Sequence, residues 1–215
     1  MIISRGRRYI FVHIPKTGGT ALSLALESRA MADDILIGDT PKAIRRRGRL
    51  KGLKGSGRLW KHSGLSDIGG VVSDQEMTDF FVLTLVRNPW DRMVSYYHWL
   101  RVQNFDRPAV EMAKSLAFDD FLDHPALQAS IAGSPYASYV TTRNGVEQCD
   151  LFARIEHLDE DLAGFEAHVG FEIGKIEQIN ISERESDYRR YYSDDKAALV
   201  ARLCKQDIDR FDYQF

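Results

Sequence analysis

Lys16-Thr17-Gly18-Gly19-Thr20 brings together the groups that hold a phosphate. Two adjacent glycines let the backbone turn tightly and approach a ligand. Lys16 adds a mobile positive charge, and Thr17 and Thr20 add hydroxyl donors. The apolar run Tyr9 to Ile14 predicts a short buried strand, ended by Pro15, which has no N–H for a ladder. Ala21 to Ala30 holds good helix formers and predicts a helix. Strand, glycine loop and helix together aim backbone N–H groups and a positive helix end at one point, so the expected occupant is an anion. The order of residues departs from the nucleotide-hydrolase pattern G-x-x-x-x-G-K-[ST], in which lysine follows the glycines.

A second cluster is Arg87-Asn88-Pro89-Trp90-Asp91-Arg92-Met93-Val94-Ser95. It follows Phe80 to Val86, whose nearly unbroken apolar character predicts a central parallel strand covered on both faces. Asn88 is suited to an N-cap and Pro89 to the first helical position. The spacing predicts a helix from Trp90 to Gln103, with Met93, Val94, Tyr97 and Leu100 on one face. Arginine makes paired, charge-assisted hydrogen bonds to phosphate. Ser95 lies a little over two helical turns beyond Arg87, near the face that Arg87 approaches. In open α/β sheets ligands sit at the carboxyl ends of strands. Both turns lie at such ends, so one ligand could engage both.

The elements that must position these groups alternate strand with helix, and a parallel sheet with helices on both faces follows. Further strands are expected at Ile35–Ile37, at the Leu59–Lys61 segment and at Leu151–Ile155. Helices are expected after the capping box Ser73-Asp74-Gln75-Glu76, over 108–115, 118–123 and 158–169, and from Ser193 to Arg210. Tyr136 and Tyr139 are candidates to line a cleft. Residues 42–58 hold eight lysines and arginines, no acid and four glycines. This composition predicts a solvated, mobile loop, with a docking surface for an acidic acceptor or a lid over an anionic donor as functional readings. The 215 residues fit one domain, 1–215, with an ordinary hydrophobic share of 44%. A net charge of −2 gives no global attraction to nucleic acid or membrane. Cys149 and Cys204 are too few for a disulfide framework and suggest a reducing compartment. No signal-peptide core or membrane-span stretch is visible, and a cytoplasmic location is expected. No residues have metal-ligand spacing.

Pro15-Lys16-Thr17-Gly18-Gly19-Thr20 resembles the 5′-phosphosulfate loop of sulfotransferases that use 3′-phosphoadenosine 5′-phosphosulfate (PAPS). Leu85 to Tyr97 resembles their 3′-phosphate segment, and Phe152 to Asp161, Asn180 to Arg184, Asp187 to Arg189 and Asp207 to Phe211 resemble later parts of sulfotransferase family 2, which includes carbohydrate sulfotransferases. The resemblance implies a P-loop-like three-layer α/β domain with a central parallel sheet flanked by helices. It implies transfer of a sulfuryl group from PAPS to an acceptor hydroxyl on a carbohydrate or glycoconjugate, leaving PAP and using no metal. Lys16, Thr17, Gly18, Gly19, Thr20 and Ala21 would bind the phosphosulfate, with Lys16 also stabilising the leaving phosphate. Arg87 and Ser95 would bind the 3′-phosphate. Arg184 and Tyr188 are candidates to reach the nucleotide or to serve structure alone. The acceptor must lose a proton; His62, in a segment similar to a histidine-containing one of these enzymes, is the first candidate base and His98 the second. His13, His124, His157 and His168 read as structural. Two other functions stay open. A P-loop small-molecule kinase would need an acidic magnesium ligand where the second strand ends in Arg87. A non-catalytic nucleotide-binding module would need no base.

Overall fold

The computed structural model describes residues 1–176, 179 and 184–215. The chain forms two compact units, Met1–Val86 with Tyr136–Ile179, and Arg87–Pro135 with Asn180–Phe215.

The first unit is built on a five-stranded sheet: β1 (Ile2–Ser4), β2 (Tyr9–Val12), β3 (Ile35–Leu36), β4 (Phe81–Val86) and β5 (Leu151–Arg154), in the order β3-β1-β2-β4-β5. β2, β4 and β5 are parallel, in register Val12↔Thr84 and Val86↔Arg154. β1 runs antiparallel to β2 and to β3. Period-two alternation divides the side chains between the two faces. Ile3, Ile10, Val12 and Val82 join one core with Leu65, Ile68, Val72 and Met77. Ile2, Tyr9, Phe11, Leu83 and Leu85 join the other with Leu22, Leu26 and Phe165. The apolar reading of β4 therefore holds, since both its faces are covered. Helix α1 (Gly19–Ser28) supplies Leu22 and Leu26 to the second core. Helix α3 (Asp74–Asp79) starts at the expected capping box, where the Ser73 hydroxyl accepts the Glu76 N–H at 3.2 Å.

The structure corrects several expectations. The basic segment is not a loop throughout: helix α2 (Pro41–Arg46) is followed by a 3-10 turn, Arg47–Leu50. Its start signal, Thr40-Pro41, stands just outside the charged run. The Thr40 hydroxyl accepts the Ala43 N–H at 3.2 Å and donates to the Glu27 carboxyl at 2.7 Å. Lys42, Arg46 and Arg49 donate to the carbonyls of Glu27, Met31 and Ala32, at and beyond the carboxyl end of α1, where cations suit the helix dipole. Leu50, Leu53 and Leu59 pack on the core, while Lys51, Lys54 and Arg58 between them stay exposed. No strand forms at Leu59–Lys61, because Ser63 closes a turn there, its N–H donating to Trp60 O at 3.0 Å. Tyr136 is fully buried and lines no cleft. Two of the expected helices are interrupted, into 158–161 and 163–169 and into 194–203 and 205–211.

The second unit packs around helix α4 (Pro89–Arg101), with helices at 108–115, 118–123, 125–132, 194–203 and 205–211. Tyr97 meets Phe118 and Phe121 with ring centroids 5.2 Å apart in both pairs. Asn88 is the α4 N-cap, its side chain accepting the Trp90 N–H at 3.0 Å. Among the described residues no helix is long and apolar enough to cross a membrane.

Thr40→Ala should lower unfolding free energy by at least about 1 kcal/mol, because it removes a cap and leaves the buried Glu27 carboxyl unmatched. Thr40→Ser should retain most of the stability in urea unfolding.

Candidate functional site

In the first unit, the chain leaves β2 and passes through His13-Ile14-Pro15 into the glycine loop. Lys16 takes a positive φ of 67° and Gly18 one of 83°. Thr17 is buried and spends its hydroxyl on Ile14 O at 2.9 Å, so it braces the loop from within. Gly18 is the N-cap of α1 and offers no side-chain cap, and the first turn holds no acid. The start of α1 therefore keeps its positive electrostatic character. Neither glycine tolerates a Cβ. At Gly18 the positive φ strains any L side chain, and at Gly19 a Cβ would lie only 2.2 Å from His13 Cδ2.

His13, which the sequence reads as structural, lies against the catalytic candidates. Its ring contacts Gly19 and meets the His62 ring edge-on at 4.7 Å. The only outward signal was its place at the end of β2. His62 Nδ1 lies 2.8 Å from His13 O. A carbonyl only accepts, so Nδ1 carries the proton and Nε2 keeps the lone pair. Burial pushes the His62 pKa down to about 4, against the raising effect of that hydrogen bond. Burial likewise holds His13 well below the usual range. His62 is thus neutral at physiological pH, with one nitrogen available as a proton acceptor. Trp60 meets it edge-on at 5.0 Å, and Arg58 lies over the Trp60 ring. The Asp67 carboxylate, close to His62 in sequence, accepts the Gly64 N–H at 2.9 Å. The acid that bears on His62 is Asp39, paired with Lys61 at 2.5 Å. A small polar cavity beside α1 is lined by His13, Thr20, Ser23, Glu27, Asp39 and Lys61, among others.

In the second unit, Arg87 directly follows β4. Its guanidinium pairs with Asp91 through Nε at 2.8 Å and Nη2 at 2.7 Å. Arg184 Nη2 meets the other oxygen of the same carboxylate at 2.6 Å. Two guanidinium groups thus share one carboxylate, which orients both and leaves net positive charge. Asp91 was missed as a site residue, although its i,i+4 spacing from Arg87 was legible. Ser95 is buried one turn further along α4. Tyr188 is placed by Asn88, whose Nδ2 donates to its hydroxyl at 3.1 Å. Burial raises the Tyr188 pKa, so its hydroxyl stays protonated. The resembling segment Asn180-Ile181-Ser182-Glu183 lies outside the described residues. Among the described residues no group of three or more histidine, cysteine or acidic side chains is arranged to hold a metal ion.

A family model described as "Sulfotransferase family" matches residues 1–214. No curated protein sequence gives a significant match. Among solved structures, mouse sulfotransferase SULT7A1 complexed with PAP is similar in fold, with a TM-score of 0.55 and 16% sequence identity. The alignment covers 95% of this chain and 86% of that one.

The ring of His62 should stay neutral at pH 6 and protonate only near pH 4 in an NMR titration. Its folded pKa lies below the unfolded value of about 6.5. The unfolded chain therefore binds the extra proton, and stability should fall as pH drops from about 6.5 to about 4. His62→Phe should flatten that slope.

Proposed function

The chain belongs to the sulfotransferase family, and we propose that it moves a sulfuryl group from PAPS to an acceptor hydroxyl on a carbohydrate or glycoconjugate. The observation that carries this reading is the His62 ring, held neutral with Nδ1–H on His13 O and Nε2 left to take a proton. The donor supplies the sulfuryl group. A bond forms between the acceptor oxygen and sulfur, the bond from sulfur to the 5′-phosphate oxygen breaks, and the electron pair leaves with PAP. The acceptor proton goes to His62 Nε2. Lys16 and the backbone N–H groups of Gly18, Gly19, Thr20 and Ala21 stabilise the charge on the departing phosphate, while Thr17 keeps the loop in shape. Arg87, Arg184 and Ser95 hold the 3′-phosphate, and Tyr188 is placed to reach the nucleotide. Binding energy spent there fixes the donor without entering the reaction. A cytoplasmic location belongs to the same reading and rests on composition.

Calorimetric titration tests the donor: PAP should bind and ATP should bind far more weakly. Preference for ATP with magnesium would transfer the reading to a kinase. Turnover of labelled PAPS over a glycan panel tests transfer, and no turnover with any hydroxylated acceptor would leave a binding module.

Lys16→Ala should cut kcat by about 10²–10³ and change PAP affinity far less, the scale for removing one donor that acts on developing charge. His62→Asn should cut kcat by about 10²–10⁴ and leave PAP binding intact. A normal kcat in either variant removes that residue from the mechanism.

A further inference from the structure

Two nitrogen atoms of the second unit are buried without a hydrogen-bond partner among the described residues: Arg184 Nη1 and His98 Nε2. Buried polar atoms are seldom left so, and such atoms mark a place where a ligand atom belongs. The two are neighbours. The Tyr191 hydroxyl accepts the N–H of Glu185, next to Arg184, at 3.0 Å. The ring of the same tyrosine meets His98 edge-on at 5.1 Å. Asp91, Ser95 and His98 are spaced by four and three residues along α4, so they share one face. Asp91 already occupies Arg184 Nη2, which leaves Nη1 as the second prong of that guanidinium.

We propose that His98 is a further reader of the donor's 3′-phosphate, its Nε2–H donating to a phosphate oxygen beside Arg184 Nη1 and the Ser95 hydroxyl. This rests on the donor reading above. It replaces the role of alternative base, because Nε2 is buried beside a cation rather than turned to an acceptor. The charged groups bearing on His98 are Arg101 on α4 and Arg184, with the Asp91 carboxylate on the same helix face. The Tyr97 and Tyr191 rings pack against it. Burial, then Arg101 and Arg184, lower its pKa and keep the ring neutral while the anion is absent. A phosphate dianion alongside reverses that balance and favours the protonated ring. Donor binding therefore takes up a proton, and this contribution grows as pH falls through the raised, donor-bound pKa and is complete below the lowered, donor-free one.

The experiment compares PAP with adenosine 5′-phosphate, which lacks the 3′-phosphate, by calorimetry on the full chain. His98→Phe should weaken PAP by about tenfold, the scale of one hydrogen bond to a charged group, and leave adenosine 5′-phosphate unchanged. His98→Gln keeps an N–H donor, so it should retain most PAP affinity yet lose the proton uptake seen when two buffers of different ionisation enthalpy are compared. Comparing wild type and His98→Gln at each pH cancels the phosphate's own ionisation. Equal weakening of both nucleotides, or unchanged PAP affinity in His98→Phe, overturns the proposal. If His98→Phe does not fold, undiminished proton uptake in His98→Gln overturns it instead. Arg87→Ala separates the two readings. Should it abolish the preference for PAP while His98→Phe does not, only the assignment of His98 fails. Should wild type show no preference for PAP, the donor reading fails with it.

Discussion

Position 19 carries no side chain because the His13 ring fills the space that a Cβ would need. The rest of the first unit's site depends on that one exclusion. It lets the ring lie against the start of α1, and the same residue's carbonyl then fixes the tautomer of His62. A backbone acceptor is a durable choice for that task, because no side-chain rotation can withdraw it. The loop and the proton acceptor are thus located by a single residue at the end of a buried strand, whose own position is set by the parallel register with β4.

Much of this was legible in the sequence where local chemistry and burial agree. The apolar run at 81–86, the capping box at Ser73 and the Asn88-Pro89 start of α4 each became the element that they announce. The mostly parallel sheet with helices on both faces followed from the alternation of strands and helices, whereas β1, antiparallel to both its neighbours, was not foreseen. Misreadings arose where tertiary partners decide. The composition of 42–58 describes a solvated coil, yet three of its cations find the carbonyls near the end of α1, and Leu50 and Leu53, with Leu59 just beyond, anchor it. The Leu59–Lys61 strand lost to a turn closed by Ser63, a contact too short-range for hydrophobic pattern to register.

The site was legible as residue types but not as wiring. Lys16, the two glycines and Arg87 announce anion chemistry by type and spacing. The role of His13 is invisible, since it depends on what lies opposite Gly19. The partnership of Arg87 with Arg184 is equally hidden, because it passes through Asp91 from a segment far along the chain. His62 was named by its neighbourhood in sequence, but its neutrality comes from burial, which no local pattern encodes.

The shared carboxylate at Asp91 also makes this part of the molecule epistatic. Each arginine is oriented by an oxygen that the other helps to hold in place, so the free-energy effects of changing them will not add. Removing the acid would not create a stronger anion trap. It would release two like charges from their common anchor, and each guanidinium would regain the rotational freedom that the ion pair now suppresses. Any lineage or engineer altering the specificity of this unit must therefore treat Arg87, Asp91 and Arg184 as one inherited character rather than three sites.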